Sequence, residues 1–238
     1  MIDVTPLTRA HFRSRLEEQL RYISHPEAVQ REQWMWLTEH AALTEQGRRY
    51  EYSSLRTYEQ WADRVPLATY DDLRPMVERM MRGQADVLWP GRTQRFAQSS
   101  GTTGGRSKFI PVTNDSLRRN HYRGASDAVA HYLNLNPASR LFSGKALILG
   151  GSFNPDSGAA TARGVRVGDL SATLIDRMPR LAGLLRVPPR SIALMADWQQ
   201  KLPALVDACV SQNVTNLSGV PSWMLTVLRR VLHTTGAE

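Results

Sequence analysis

The stretch Ser99-Ser100-Gly101-Thr102-Thr103-Gly104-Gly105-Arg106-Ser107-Lys108 gathers hydroxyl side chains, glycines and a closing lysine into one short segment. Such a loop presents backbone N–H groups and short O–H donors. With no bulky Cβ in the way, a polyphosphate can approach closely. Of the 30 lysine and arginine residues only Lys108, Lys145 and Lys201 are lysines, so the one that ends this loop stands out from the composition. Arg95-Phe96-Ala97-Gln98 before the loop and Phe109-Ile110-Pro111-Val112 after it read as short strands. The predicted arrangement is a hairpin of antiparallel strands that carries the loop at its tip. The plain alternative is an ordinary turn, because Gly, Ser and Thr also serve turn geometry. Two better-known phosphate motifs are excluded by counting. A Walker A loop counted from Gly101 finds Arg106 where its second glycine belongs, and counted from Gly104 it finds Phe109. No Gly-x-Gly-x-x-Gly fingerprint is present.

The elements around the loop set the fold class. His11 to Ile23 places Phe12, Leu16, Leu20 and Ile23 at helical spacing, and Glu27 to Glu45 continues the pattern with Gly47 as its stop. Thr57 and Thr69 each precede a segment that reads as a helix start, with Gln60 and Asp72 three residues on. The helix from Tyr70 is expected to end near Gly83. After residue 86 the pattern turns to strand, loop and helix. Thr113 or Asn114 caps a helix to about Leu133, Ala146-Leu147-Ile148-Leu149 is a buried strand, and Gly150-Gly151 ends it in a turn or a second ligand-facing loop. Asn154 to Gly164 reads as an exposed loop and Ser191 to Val210 as a helix kinked at Pro203. Val214 to Leu217 reads as a strand, and Pro221 as the first residue of a helix through Leu232. Strands alternating with helices give an α/β class with a mixed, partly parallel sheet, flanking helices and a helical N-terminal layer. The expected organisation is a helical appendage over 1–64 and an α/β domain over 65–238 that carries the loop.

Composition narrows the function. The 238 residues, 42% hydrophobic and 22% charged, are long enough to bury a real core. The net charge of +8 favours anionic partners in general, but the arginines are scattered, with no block of like charges and no nucleic-acid motif. Nucleic-acid binding is therefore not expected. Cys209 is the single cysteine, so no internal disulfide forms, and its apolar surroundings mark it as a core residue. Neither a signal peptide nor a membrane span is read from the sequence, and a cytoplasmic location is the expectation. The six histidines show no metal-site pairing, so no protein-bound metal site is expected.

At the loop the chain resembles the adenylate-forming enzymes, whose signature is a Ser/Thr-Gly-Thr-Thr/Ser-Gly loop that ends in lysine. Lys108 lies one residue further on than in the acyl-CoA synthetases. That longer form is similar to the auxin-responsive promoter (Gretchen Hagen) family of acyl acid–amido synthetases. Val65 to Leu73, Ile192 to Trp198 and Val214 to Met224 are similar to further segments of the family, in the same order. The resemblance implies an adenylate-forming-enzyme-like N-terminal domain and ATP with Mg as cofactors. It implies that Ser99, Ser100, Gly101, Thr102, Thr103, Gly104, Gly105 and Lys108 hold the β- and γ-phosphates, with Arg106 as a further contact. The partners it implies are a small carboxylic acid and an amine, namely an amino acid. Tyr122 and Arg123, on the helix after the loop, and Val220 and Trp223 are the candidate substrate contacts. The family's adenine, metal and ribose motifs and its mobile C-terminal domain come after the point matching Glu238. The resemblance therefore casts the chain as a truncated N-terminal portion, expected to be inactive alone. A carboxylate–CoA ligase, or an inactive nucleotide-binding or interaction module, are the alternatives.

Overall fold

Thr44, Thr57, Thr69 and Thr113 each precede a helix start, and three of them cap it through the side chain. Gly47, Gln60 and Ser116 N–H donate to the threonine Oγ1 of Thr44, Thr57 and Thr113 at 2.9, 3.3 and 3.0 Å. The computed structural model describes residues 3–99, 107–154 and 161–236. In chain order its first elements are α1 (Thr5–Ser24), α2 (Pro26–Ala41), α3 (Glu45–Arg49), α4 (Tyr58–Arg64) and α5 (Tyr70–Met81). The strands β1 (Arg95–Gln98) and β2 (Phe109–Pro111) follow, then α6 (Asn114–Ser116), a π-helical turn over Leu117–His121 and α7 (Tyr122–Leu135). The remainder is β3 (Lys145–Ile148), β4 (Arg166–Gly168), α8 (Leu170–Asp176), α9 (Arg180–Leu184), β5 (Arg186–Val187), α10 (Arg190–Ala193), α11 (Trp198–Val210), β6 (Val214–Ser218) and α12 (Pro221–Thr235).

The contacts divide the chain into two units: Glu17–Arg118 with Pro155–Val167, and Met1–Leu16 with Arg119–Asn154 and Gly168–Glu238. The first holds a sheet in the order β2-β1-β4. β1 and β2 are antiparallel, with Phe96 opposite Pro111, Ala97 opposite Ile110 and Gln98 opposite Phe109. Phe96, fully buried, packs with Val77, Met80 and Met81 of α5 and with Val87 and Val167. Burial of such a ring contributes about 1.5–3 kcal/mol and seats the hairpin on the helix. A second cluster gathers Ala41, Tyr52 and Leu55 with Trp34, Trp61 and Trp89.

The second unit is built on the parallel strands β5-β3-β6. Leu147 and Leu149 form its centre, with Val187, Leu205 and Cys209 around them and Met224 and Val227 of α12 packed against the same core. The continuous apolar run 146–149 is what a parallel strand covered by helices requires. Cys209 is a core residue as expected, and burial pushes its thiol pKa up to about 11.

The α/β class and the mixed strand directions agree with the sequence reading; the strands fall into two sheets. Several local expectations need correction. The helix read over His11 to Ile23 is part of α1, with Leu20 and Ile23 61% and 78% exposed. The helix read over Glu27 to Glu45 ends at Ala41, and Gly47 lies inside α3 instead of stopping a helix. A Cβ on Gly47 would stand 2.0 Å from the Ala41 carbonyl oxygen, so the glycine serves this close approach. The break in 191–210 falls at Leu194–Asp197 and not at Pro203. Asp197 Oδ1 accepts from Gln199 N–H at 2.8 Å and starts α11, which then runs through the proline. Most of the loop expected over Asn154 to Gly164 lies outside the described residues.

Candidate functional site

The hairpin neck is closed by a reciprocal pair. Ser99 N–H donates to the Lys108 carbonyl at 2.9 Å, and Lys108 N–H donates to Ser99 Oγ at 2.9 Å. The Ser99 hydroxyl oxygen is thus engaged at the neck, with its proton left to donate. Residues 100–106, which include Ser100, Gly101, Thr102, Thr103, Gly104 and Gly105, lie outside the described residues. Tyr70, the first residue of α5, braces the neck. Its Oη accepts from Phe109 N–H at 2.7 Å and donates to the Phe109 carbonyl at 3.3 Å. The Lys108 Nζ sits 5.7 Å and the Arg74 Cζ 4.9 Å from the Tyr70 ring centroid. Each such contact is worth about 0.5–1 kcal/mol at an exposed site, enough to bias the lysine toward the neck without fixing it. Thr69 N–H and Oγ1 both donate to Asp72 Oδ2 at 2.7 Å, which fixes the entry to α5. These bonds hold the Asp72 carboxyl below the usual carboxylate range. The arrangement presents a hydroxyl and an ammonium at one end of a loop, which suits an anionic polyphosphate, while Arg74 is paired with Asp71 at 2.8 Å.

In the second unit a cavity of about 350 Å³ opens beyond the carboxyl end of β3. Gly150, Gly151 and Ser152 line it from the strand exit, Met195, Trp198 and Lys201 from the segment that leads into α11, and Trp223 and Thr226 from α12. Crevices outside the carboxyl ends of parallel strands are where open α/β sheets take ligands. The Trp198 and Trp223 rings lie 5.9 Å apart. Lys201 is buried and its Nζ donates to the Gly150 carbonyl at 2.8 Å. Burial lowers the Lys201 pKa, and the nearby Asp169 carboxylate opposes that shift.

A model of the GH3 family N-terminal domain matches residues 15–233. The chain belongs to the GH3 family. It is 27% identical over 143 residues, 58% of this chain and 23% of the relative, to the indole-3-acetic acid-amido synthetase GH3.15 of Arabidopsis thaliana. It is 36% identical over 73 residues, 30% of this chain and 12% of the relative, to a probable indole-3-acetic acid-amido synthetase, GH3.2, of Oryza sativa subsp. japonica. A solved GH3.15 acyl acid amido synthetase superposes with a TM-score of 0.72 at 22% identity over 94% of this chain and 39% of the solved one. The GH3.15 complex with 2,4-DB gives 0.74 at 22% identity over 96% and 39%. The fold is therefore that of the GH3 N-terminal portion, and this chain spans well under half the length of these relatives. Family and fold are those expected from the loop and its flanking segments.

Within the GH3 chain the remaining candidates fall at different places. Tyr122 Oη donates to the Leu174 carbonyl at 3.1 Å. Burial lowers the Arg123 pKa, with Arg15 acting in the same direction and Asp127 against it; Arg15 Nε donates to Asp127 Oδ1 at 2.9 Å. Val220 is the N-cap of α12 and 48% exposed. Of these substrate candidates only Trp223 lines the cavity. Sequence reasoning missed Tyr70 as the brace and Lys201 with Asp169 as cavity groups. For Lys201 the signal was its rarity: it is one of three lysines, placed among apolar residues of a helix. Among the described residues no helix is long and apolar enough to cross a membrane.

Proposed function

We propose that this chain supplies the ATP phosphate-binding part of a GH3-type ligase that adenylates a carboxylic acid and passes the acyl group to an amine. The observation that carries the reading is the 99–108 motif set on an antiparallel hairpin in a chain that belongs to this family. In this reading Ser99, Ser100, Thr102 and Thr103, with the N–H groups of Gly101, Gly104 and Gly105, hold the β- and γ-phosphates. Lys108 offsets their charge, and magnesium arrives with the triphosphate. The donor set fits: Lys108 is bound at the neck by its backbone only, and its ammonium leans on a ring contact that an anion can outbid. The bound nucleotide supplies a good leaving group, pyrophosphate, and the acid's own carboxylate is the nucleophile. The residues of this chain therefore position and screen charge, with no triad to form. Tyr122, Arg123, Val220 and Trp223 are proposed for the acid, and its chemistry is that of a small organic carboxylate, as in the 2,4-DB complex of GH3.15.

The test is calorimetric titration of MgATP into the wild-type chain and into the double variant Thr102→Ala, Lys108→Ala. Each hydrogen bond to a charged group is worth about 1.5–3 kcal/mol, so the variant is expected to bind at least tenfold more weakly. Equal affinities would show that the loop holds no phosphate, and a plain turn would be the correct reading.

A further inference from the structure

Arg186 is a buried cation to which the described residues bring no counter-charge. It is 8% exposed, and neither its Nε nor its Nη1 meets an acceptor. A guanidinium cannot shed its proton to escape burial, so the cost of dehydrating it stands until an anion arrives. The charged neighbour it feels is a second cation: burial first, and then Arg190, act to lower its pKa. Arg186 stands opposite Ala146 of β3, and Ala146 opposite Asn216 of β6. One residue on, Val187 and Leu147 belong to the apolar core. Side chains alternate along a strand, so Arg186, Ala146 and Asn216 form a row on the other face of the sheet. Ala146 offers only a methyl beside the guanidinium. Arg186 also lies close to the carboxyl end of β5, the end at which open α/β sheets take ligands. Arg190, the first residue of α10, is held without being fully spent. Its Nη1 donates to the Asp176 carbonyl at 3.3 Å and lies 3.6 Å from Asp176 Oδ1, and its side chain is 63% exposed. Pro188 and Pro189 stiffen the link between the two arginines.

Two guanidiniums at different depths complement two negative charges set apart along one molecule. We propose that Arg186 and Arg190 form a binding site for a small dicarboxylate, with one carboxylate buried against Arg186 and the other at the rim on Arg190. A carboxylate carries one charge and matches the planar fork of a guanidinium. A compact dianion such as phosphate would bring both of its charges to Arg186 and lose the water around both, which the depth of that residue disfavours. A monocarboxylate would satisfy Arg186 and leave Arg190 to solvent. The ligase reading requires a single carboxylate. This site calls for a second negative charge, and it stands without that reading.

The experiment is titration calorimetry on the full chain at constant ionic strength, without nucleotide. Succinate, glutarate and adipate set two carboxylates at increasing spacing. Butyrate is the monocarboxylate and inorganic phosphate the compact dianion. At least one dicarboxylate is expected to bind, with butyrate several-fold weaker, the worth of a contact at the rim. Arg186→Met should weaken that dicarboxylate at least tenfold, the worth of one charge-assisted contact. Arg190→Gln should bring it down to the level of butyrate while butyrate itself is unchanged, a split that a merely structural arginine would not give. Arg186→Lys keeps the charge without the fork and should fall between wild type and Arg186→Met. It also carries the test if circular dichroism shows Arg186→Met to be unfolded. The proposal is overturned if no dicarboxylate gives saturable heat up to about 20 mM, or if butyrate or phosphate binds as tightly as the best dicarboxylate. It is equally overturned if the folded Arg186 variants bind as wild type does. Because no nucleotide is present, failure here is separate from failure of the phosphate loop, which the MgATP titration reads.

Discussion

The hairpin of the first unit and the cavity of the second handle charge by opposite means. The hairpin gathers its donors from consecutive residues: its candidate groups lie between Ser99 and Lys108, and its neck is closed by backbone and one hydroxyl. The cavity gathers its groups from 150–152, 169, 195–201 and 223–226, which meet only because parallel strands end together. Backbone donors need glycine and short range. Side-chain charges need a sheet to bring distant segments to one edge. The difference teaches where each kind of site breaks: a hairpin through its seat, an assembled cavity through single side chains.

The sharpest test of that contrast is removal of the seat. Phe96 is fully enclosed beneath β1 by Val77, Met80, Met81, Val87 and Val167. Phe96→Ala is expected to destabilise the chain by about 3–5 kcal/mol, seen as a lower urea midpoint. Leu205→Ala in the parallel-sheet core should cost about 2–5 kcal/mol in the same measurement. A Phe96 variant with an unchanged midpoint would show that the hairpin is not held from below.

A smaller effect isolates the brace. Tyr70→Phe keeps the ring under Lys108 and Arg74 but removes the oxygen that accepts from Phe109 N–H. An N–H left without its partner costs about 1–3 kcal/mol. The loss should appear in urea unfolding and as faster amide exchange at Phe109, since the hairpin neck frays first. Unchanged exchange at Phe109 would remove Tyr70 from the account of the loop.

The legibility of the molecule follows the same contrast. The strands flanking the loop and the helix starts at Thr57, Thr69 and Thr113 were readable because each signal is local: a capping oxygen or a short apolar run. The cavity was only partly readable. Gly150-Gly151 was read as either a turn or a ligand-facing loop; it ends β3 and lines the cavity. Asp169 was not singled out: it is the N-cap of α8, and nothing within three residues of it shows that Gly151 is kept free of a Cβ beside its carboxylate. The helix over 191–210 was misjudged because Pro203 is the louder signal. Asp197 decides the break through one hydrogen bond, and a proline six residues into a helix can be absorbed by it. Leu20 and Ile23 kept the helical period but not the burial, because spacing predicts a face and cannot supply what covers it.

Gly151→Ala would test the assembled site with a single methyl. The added Cβ takes the space of the Asp169 carboxylate, an exposed side chain that can swing away at little cost in stability. The expected outcome is a melting temperature within a few degrees of wild type, about 1 kcal/mol or less. A much larger loss would mean that the Asp169 carboxylate is held at the strand exit and cannot give way.

The smallest expected effect on stability, and the one with an unusual sign, belongs to Lys201. Burial holds its pKa below the ordinary lysine value of 10.5. The unfolded chain therefore binds this proton more tightly than the folded one. Between the folded pKa and 10.5 the unfolded state carries more protons, so this group's contribution to stability rises with pH across that window. Below the folded pKa both states are protonated, and the full penalty of a buried charge stands. Lys201→Met removes the penalty and keeps a long apolar chain in the same space, at the loss of one bond to the Gly150 carbonyl. At pH 7 the variant should melt at or slightly above the wild type, by about 1 kcal/mol or less, and the advantage should shrink as the pH climbs toward 10.5. Thermal unfolding of both proteins from neutral to alkaline pH reads this directly. A variant that melts far below the wild type at pH 7 would mean that the lysine is kept to tie α11 to the end of β3.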